Sequence, residues 1–119
     1  MNSRDIELCI PSPQKYVINH VYKKLHTNPV VSMIFLFGSC AKGNADEESD
    51  VDIFVVTNKS VYDDTDEAFG HIYGATDDIP LAQYVSCDIL TASAKDFQSN
   101  ATPLIKTIKN EGVPLNGIL

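Results

Sequence analysis

A chain of 119 residues, 44% of them hydrophobic, is long enough to bury one core and too short for two, so residues 1–119 are expected to form one domain. Its net charge of −7, with a single arginine and eight scattered lysines, provides no basic stripe to neutralise a nucleic-acid backbone, which argues against long nucleic acid as a partner. No run of about 20 apolar residues and no basic flank leading an apolar block is present, and Cys9, Cys40 and Cys87 lack any CxxC pairing, so a soluble protein of a reducing cytoplasm is expected, with no membrane as partner.

Residues 12–27, "SPQKYVINHVYKKLHT", read as a helix that Ser12 can cap with Pro13 at the first helical position. Val17, Ile18, Val21, Tyr22 and Leu25 form its apolar stripe, and Asn28-Pro29 ends it. Residues 30–37, "VVSMIFLF", are a short continuous apolar run that predicts a central strand buried on both faces. After the link "GSCAKGNADEES" comes a second strand, "DVDIFVV", over residues 50–56. Residues 62–78 predict a helix with Phe69, Ile72 and Tyr73 inward, weakened by Gly70 and Gly74. A third strand, "YVSCDILT", follows at residues 84–91, then a capping pattern of Ser93 with Asp96. Thr102 and Pro103 open a last helix that turns Leu104, Ile105 and Ile108 inward and stops at Gly112 and Pro114. Helix, strand, strand, helix, strand, helix is an α/β (α+β) order, a small mixed β-sheet packed with helices.

Charge is concentrated: 11 of the 16 Asp and Glu residues lie between Asp46 and Asp78. Asp50 and Asp52, two positions apart in a predicted strand, point to the same face with Cα atoms roughly 6–7 Å apart. That spacing lets both reach one divalent cation, or a pair of cations about 4 Å apart that clamp a phosphoryl transfer. The plainer reading is an edge strand with a solvated polar face. Upstream, Gly38 and Ser39 follow a buried strand directly and can present backbone N–H groups and a hydroxyl to a phosphate, with Lys42 as a mobile positive charge. Gly38 and Gly43 have the spacing of a Walker-type loop, but Asn44 and Ala45 follow where lysine and serine or threonine belong.

Taken whole, residues 35–56, "FLFGSCAKGNADEESDVDIFVV", resemble the signature of the nucleotidyltransferase superfamily that includes DNA polymerase β and kanamycin nucleotidyltransferase: strand, Gly-Ser, a short helix with Ala-Arg-Gly, then Ser-Asp-x-Asp entering the next strand. Gly38, Ser39, Ala41, Gly43, Ser49, Asp50 and Asp52 match, and Lys42 stands in place of the usual arginine. The resemblance implies a polymerase β-like core, with Gly38, Ser39, Lys42 and Ser49 at the nucleotide. It implies Asp50 and Asp52 on Mg²⁺, two ions in all, and ATP as substrate. It also implies a third carboxylate on a later strand; Asp88 in "VSCDIL" is so placed and is expected to act as metal ligand and general base.

The short chain looks like a minimal nucleotidyltransferase (MNT), and its ending "IKTIKNEGVPL" is similar to the close of such proteins. That resemblance implies a partner, a small helical HEPN ribonuclease toxin, to whose tyrosine hydroxyl the MNT protein transfers AMP from ATP, acting as antitoxin. Two alternatives stand beside it: a non-catalytic antitoxin that works by binding, and nucleotidyl transfer to a small molecule. Base preference, acceptor and oligomeric state stay open. His20, His26 and His71 lack ligand spacing, and Cys40 reads as inert filler. Asp63, Asp64, Asp66 and Glu67 favour a helix N-terminus, or offer a docking face to a basic partner.

Overall fold

The computed structural model describes residues 9–59 and 67–117. Helix α1 (Ser12–Leu25) leads into strand β1 (Val31–Phe37), a four-residue helix α2 (Ser39–Lys42) and strand β2 (Val51–Thr57). Helix α3 (Glu67–Tyr73) and a 3₁₀ turn at Leu81–Gln83 precede strand β3 (Cys87–Ser93). Helices α4 (Ala94–Gln98) and α5 (Pro103–Glu111) and the two-residue strand β4 (Val113–Pro114) complete the order.

The four strands form one mixed sheet in the order β3-β2-β1-β4, with β1 antiparallel to β2 and β4, and β2 parallel to β3. Because side chains alternate along a strand, the sheet has two apolar faces, each covered by helices. On one, Ile34, Leu36, Val51, Ile53 and Val55 pack with Val17, Ile18, Val21 and Leu25 of α1 and Phe69 and Ile72 of α3. On the other, Phe35, Phe54 and Val56 pack with Ile105 and Ile108 of α5, flanked by Phe97 of α4. The ring of Phe97 lies 5.5 Å from Phe35 and 6.2 Å from Phe54, centroid to centroid. Covering on both sides explains why β2 is buried over nearly its whole length and reads as a continuous apolar run after Asp52.

Several sequence expectations shift. Ser12 is the first helical residue of α1 and Pro11 occupies the cap position without a side-chain bond, so the proline-rich entry, not a serine cap, starts the helix. β1 is central, but its first half, including Ser32 and Met33, is exposed because β4 pairs only Phe35 and Leu36. The helix expected over residues 62–78 is α3, ending at Tyr73 and followed by turns through Gly74; positions 62–66 lie outside the described residues. β3 begins at Cys87 rather than residue 84, because Tyr84 closes the 3₁₀ turn. The caps of the last two helices agree with expectation: Ser93 Oγ accepts from the Asp96 amide and Thr102 Oγ1 from the Ile105 amide.

Candidate active site

Sequence and sheet pairing bring the candidate residues to one end of the β2–β3 pair. Asp52 is the second residue of β2 and Asp88 the second of β3, and they are direct register partners in the parallel ladder. Partners of that kind sit on the same face with Cα atoms about 4.8 Å apart. The face is the one that also carries Phe54, since Asp52 and Phe54 are two positions apart on β2. Asp50 lies just before β2, exposed, at the mouth of the strand. β2 is flanked by β1 and β3, so Asp52 is not on an edge strand; β3, with Asp88 exposed on it, is the outer strand.

Gly38 closes the site from the β1 side. Phe37 is the register partner of Asp52, so the chain turns into α2 directly beside that carboxylate. Gly38 takes φ 73°, ψ −154°, a conformation that only glycine adopts without strain, and a Cβ there would fall on Oδ2 of Asp52. Glycine is thus needed twice, for the turn and for the approach. Its carbonyl accepts from the Ala41 and Lys42 amides, Ser39 opens α2 half-buried, and Gly43 ends the helix in the left-handed region with φ 76°. Lys42 is more than half exposed and its Nζ stands 3.8 Å from Glu111 Oε2, a loose surface pair that a phosphate could displace.

Electrostatics single out Asp52. Burial first, then the neighbouring Asp88 and Asp50 carboxylates, push it above the ordinary carboxylate value. Cys40 is raised to about 11, by burial and then Asp52, and its thiol faces the Asp50 carbonyl at 3.8 Å; it is a neutral, buried group, as the filler reading requires. Cys87 is raised to about 12, by burial and then Asp88, Asp52 and Cys40.

Among the described residues, no three His, Cys, Asp or Glu side chains converge closely enough to form a cation cage by themselves. Mg²⁺ does not ask for one: it takes one or two protein carboxylates and fills its shell with water and substrate phosphates. Two hard oxygen ligands on registered strands, with the repulsion at Asp52 waiting to be neutralised, fit such an ion.

Several contributors do not stand out in the sequence. Asp46, exposed in the link between α2 and β2, orders that link: its Oδ1 accepts from the Glu48 amide at 2.9 Å and from Ser49 Oγ at 3.3 Å, while its own amide donates to Ser49 Oγ at 2.9 Å. The bond from the Glu48 amide to the side chain two residues before it is an Asx turn. Ser49, expected at the nucleotide, uses its hydroxyl inside this loop. Buried Gln14 of α1 donates to the Ser49 carbonyl at 2.9 Å, and Ser86 O accepts from the Val51 amide at 2.8 Å.

Comparison with known proteins bears on the fold and the family. The crystal structure of a protein from Sulfolobus solfataricus, provisionally assigned as a nucleotidyltransferase, superposes with a TM-score of 0.54 at 16% identity, covering 90% of this chain and 89% of that one; it shares the fold. No curated protein gives a significant match. The family model described as "Polymerase beta, Nucleotidyltransferase" matches residues 19–115, spanning β1 to β4 and every candidate residue named above except Gln14. With that match over most of its length, the chain belongs to the polymerase β nucleotidyltransferase family, whose domains act on nucleoside triphosphates with a divalent metal.

Proposed function

We propose that this protein is an Mg²⁺-dependent nucleotidyltransferase of the minimal type, which transfers AMP from ATP to a tyrosine hydroxyl of a helical HEPN-type toxin and acts as its antitoxin. The observation that carries the catalytic part is the registered pair Asp52 and Asp88 on one face, with Gly38 pressed against Asp52. The exposure of Asp88 on the outer strand supports an acceptor as large as a protein.

Asp50, Asp52 and Asp88 would hold the metal, two ions in the full arrangement. A metal held there would supply positive charge to neutralise the triphosphate. The Gly38–Ser39 turn holds phosphate oxygens with backbone N–H groups and the Ser39 hydroxyl, and Lys42 adds positive charge. Ser49 holds the loop that presents Asp50. Asp88 takes the proton of the acceptor hydroxyl as its oxygen bonds to the α-phosphorus and the bond to pyrophosphate breaks.

The test is the intact mass of the purified toxin after incubation with this protein, ATP and Mg²⁺. The expected result is a mass gain of one adenylyl group per modified tyrosine, lost with Asp52→Asn. An unmodified toxin sinks the catalytic reading. If an Asp50, Asp52 and Asp88 triple Asn variant then still protects cells, the protein is an antitoxin by occlusion.

A further inference from the structure

We infer that Gln14 is a positioning residue for the metal-binding carboxylates, through which α1 becomes part of the active site. The inference rests on the assignment of Asp50 and Asp52 as the cation ligands. Three backbone groups of the two peptides that flank Asp50 are each held from a different part of the fold. The Ser49 carbonyl accepts from Gln14 Nε2 of α1 at 2.9 Å. The Asp50 carbonyl faces the buried Cys40 thiol of α2 at 3.8 Å. The Val51 amide donates to Ser86 O, just ahead of β3, at 2.8 Å. Asp50 lies outside the β-ladder, so the strand hydrogen bonds that fix Asp52 do not fix it, and these tethers take their place.

Gln14 is the unusual member of the set. It is 0% exposed, in the first turn of a helix whose other buried residues are all apolar, and its bond spans 35 positions of sequence. Its Oε1 is buried and has no partner among the described residues. A side chain kept only for stability would not bring an unsatisfied acceptor into the core, since an apolar residue of equal volume would cost less there. What the amide provides is direction: a single donor aimed at the carbonyl that precedes Asp50. A methionine at this position fills the same space, removes the orphan acceptor, and leaves the Ser49 carbonyl untethered.

The test compares wild type, Gln14→Met and Asp52→Asn for melting temperature without ligand and for the Kd of Mn²⁺ in the presence of ATP. Groups that orient metal ligands typically change metal affinity by about 10- to 100-fold when removed. The expected result is that Gln14→Met weakens Mn²⁺ at least about 10-fold while its melting temperature stays close to wild type, a split that a purely structural role would not give. Wild-type binding with Gln14→Met unchanged overturns the inference alone; wild type that binds no Mn²⁺–ATP, or Asp52→Asn that binds equally well, overturns the ligand assignment and the inference with it. A second readout on wild type covers the case of a variant that does not fold: on adding Mn²⁺–ATP, amide exchange slows together at residues 14–18 and 49–52. Slowing at 49–52 without any change in α1 contradicts the coupling.

Discussion

Replacing Gly38 by alanine tests the contact on which the site is built. Gly38 sits at φ 73°, ψ −154°. Holding a residue with a side chain in such a region costs about 1–3 kcal/mol, and the added methyl also meets the Asp52 carboxylate. In a domain of this size each kcal/mol corresponds to about 4 °C, so the melting temperature should fall by about 4–12 °C from the backbone alone. The protein has two ways to relieve the overlap: the turn into α2 opens, or Asp52 rotates from its place beside Asp88. Either one separates the phosphate turn from the carboxylates, so the Kd of Mn²⁺–ATP should weaken by about 10-fold or more. Thermal unfolding by circular dichroism and calorimetric titration with Mn²⁺–ATP measure the two effects on one sample. A variant that melts with the wild type and binds as tightly would refute the reasoning.

A second glycine predicts the opposite sign. Gly70, exposed in α3 with open space where a methyl group would project, should accept alanine with a gain of about 0.5–1 kcal/mol in thermal stability; a loss would mean that α3 is not helical there. Thr102→Ala removes the side-chain cap on the Ile105 amide and should cost about 1 kcal/mol in chemical denaturation, with Thr102→Ser close to wild type. Asp78 is held down to about 2, from an ordinary value of 3.8, by hydrogen bonds from Lys24 and then His20. Its folded value lies below the unfolded one, so its share of stability is complete above about pH 4 and disappears as the pH falls to about 2. The difference in melting temperature between wild type and Asp78→Asn should therefore shrink across that window, and a difference unchanged at pH 2 contradicts the pairing.

Local signals were legible in the sequence and cooperative ones were not. The strand before Gly38, the step from Ser39 to Asp50, the Thr102 cap and the stop at Gly112 are all written in neighbouring residues, and the structure shows each of these elements. The start of β3 is not legible because it depends on tertiary pairing: the Val51 amide donates to Ser86 O and Asp52 registers with Asp88, which begins the ladder at Cys87 whatever the β-propensity of residues 84–86. The place of Asp50 outside the strand follows from the same pairing. Gln14 could not be recognised, since a polar residue near the start of a helix looks solvated until the loop 35 positions later is seen to cover it. The Asx turn of Asp46 is a local feature that the sequence does not mark, since a run of adjacent carboxylates gives no sign of which side chain turns back onto the backbone.

The central claim is that Asp52 and Asp88 form one metal and nucleotide site, and crystals grown with Mn²⁺ and a non-hydrolysable ATP analogue test it most directly. Anomalous scattering at the manganese edge should place an ion about 2.1 Å from an oxygen of each carboxylate, with triphosphate oxygens completing its shell beside Gly38 and Ser39. Manganese and nucleotide bound elsewhere on the protein, with Asp52 and Asp88 untouched, would contradict it.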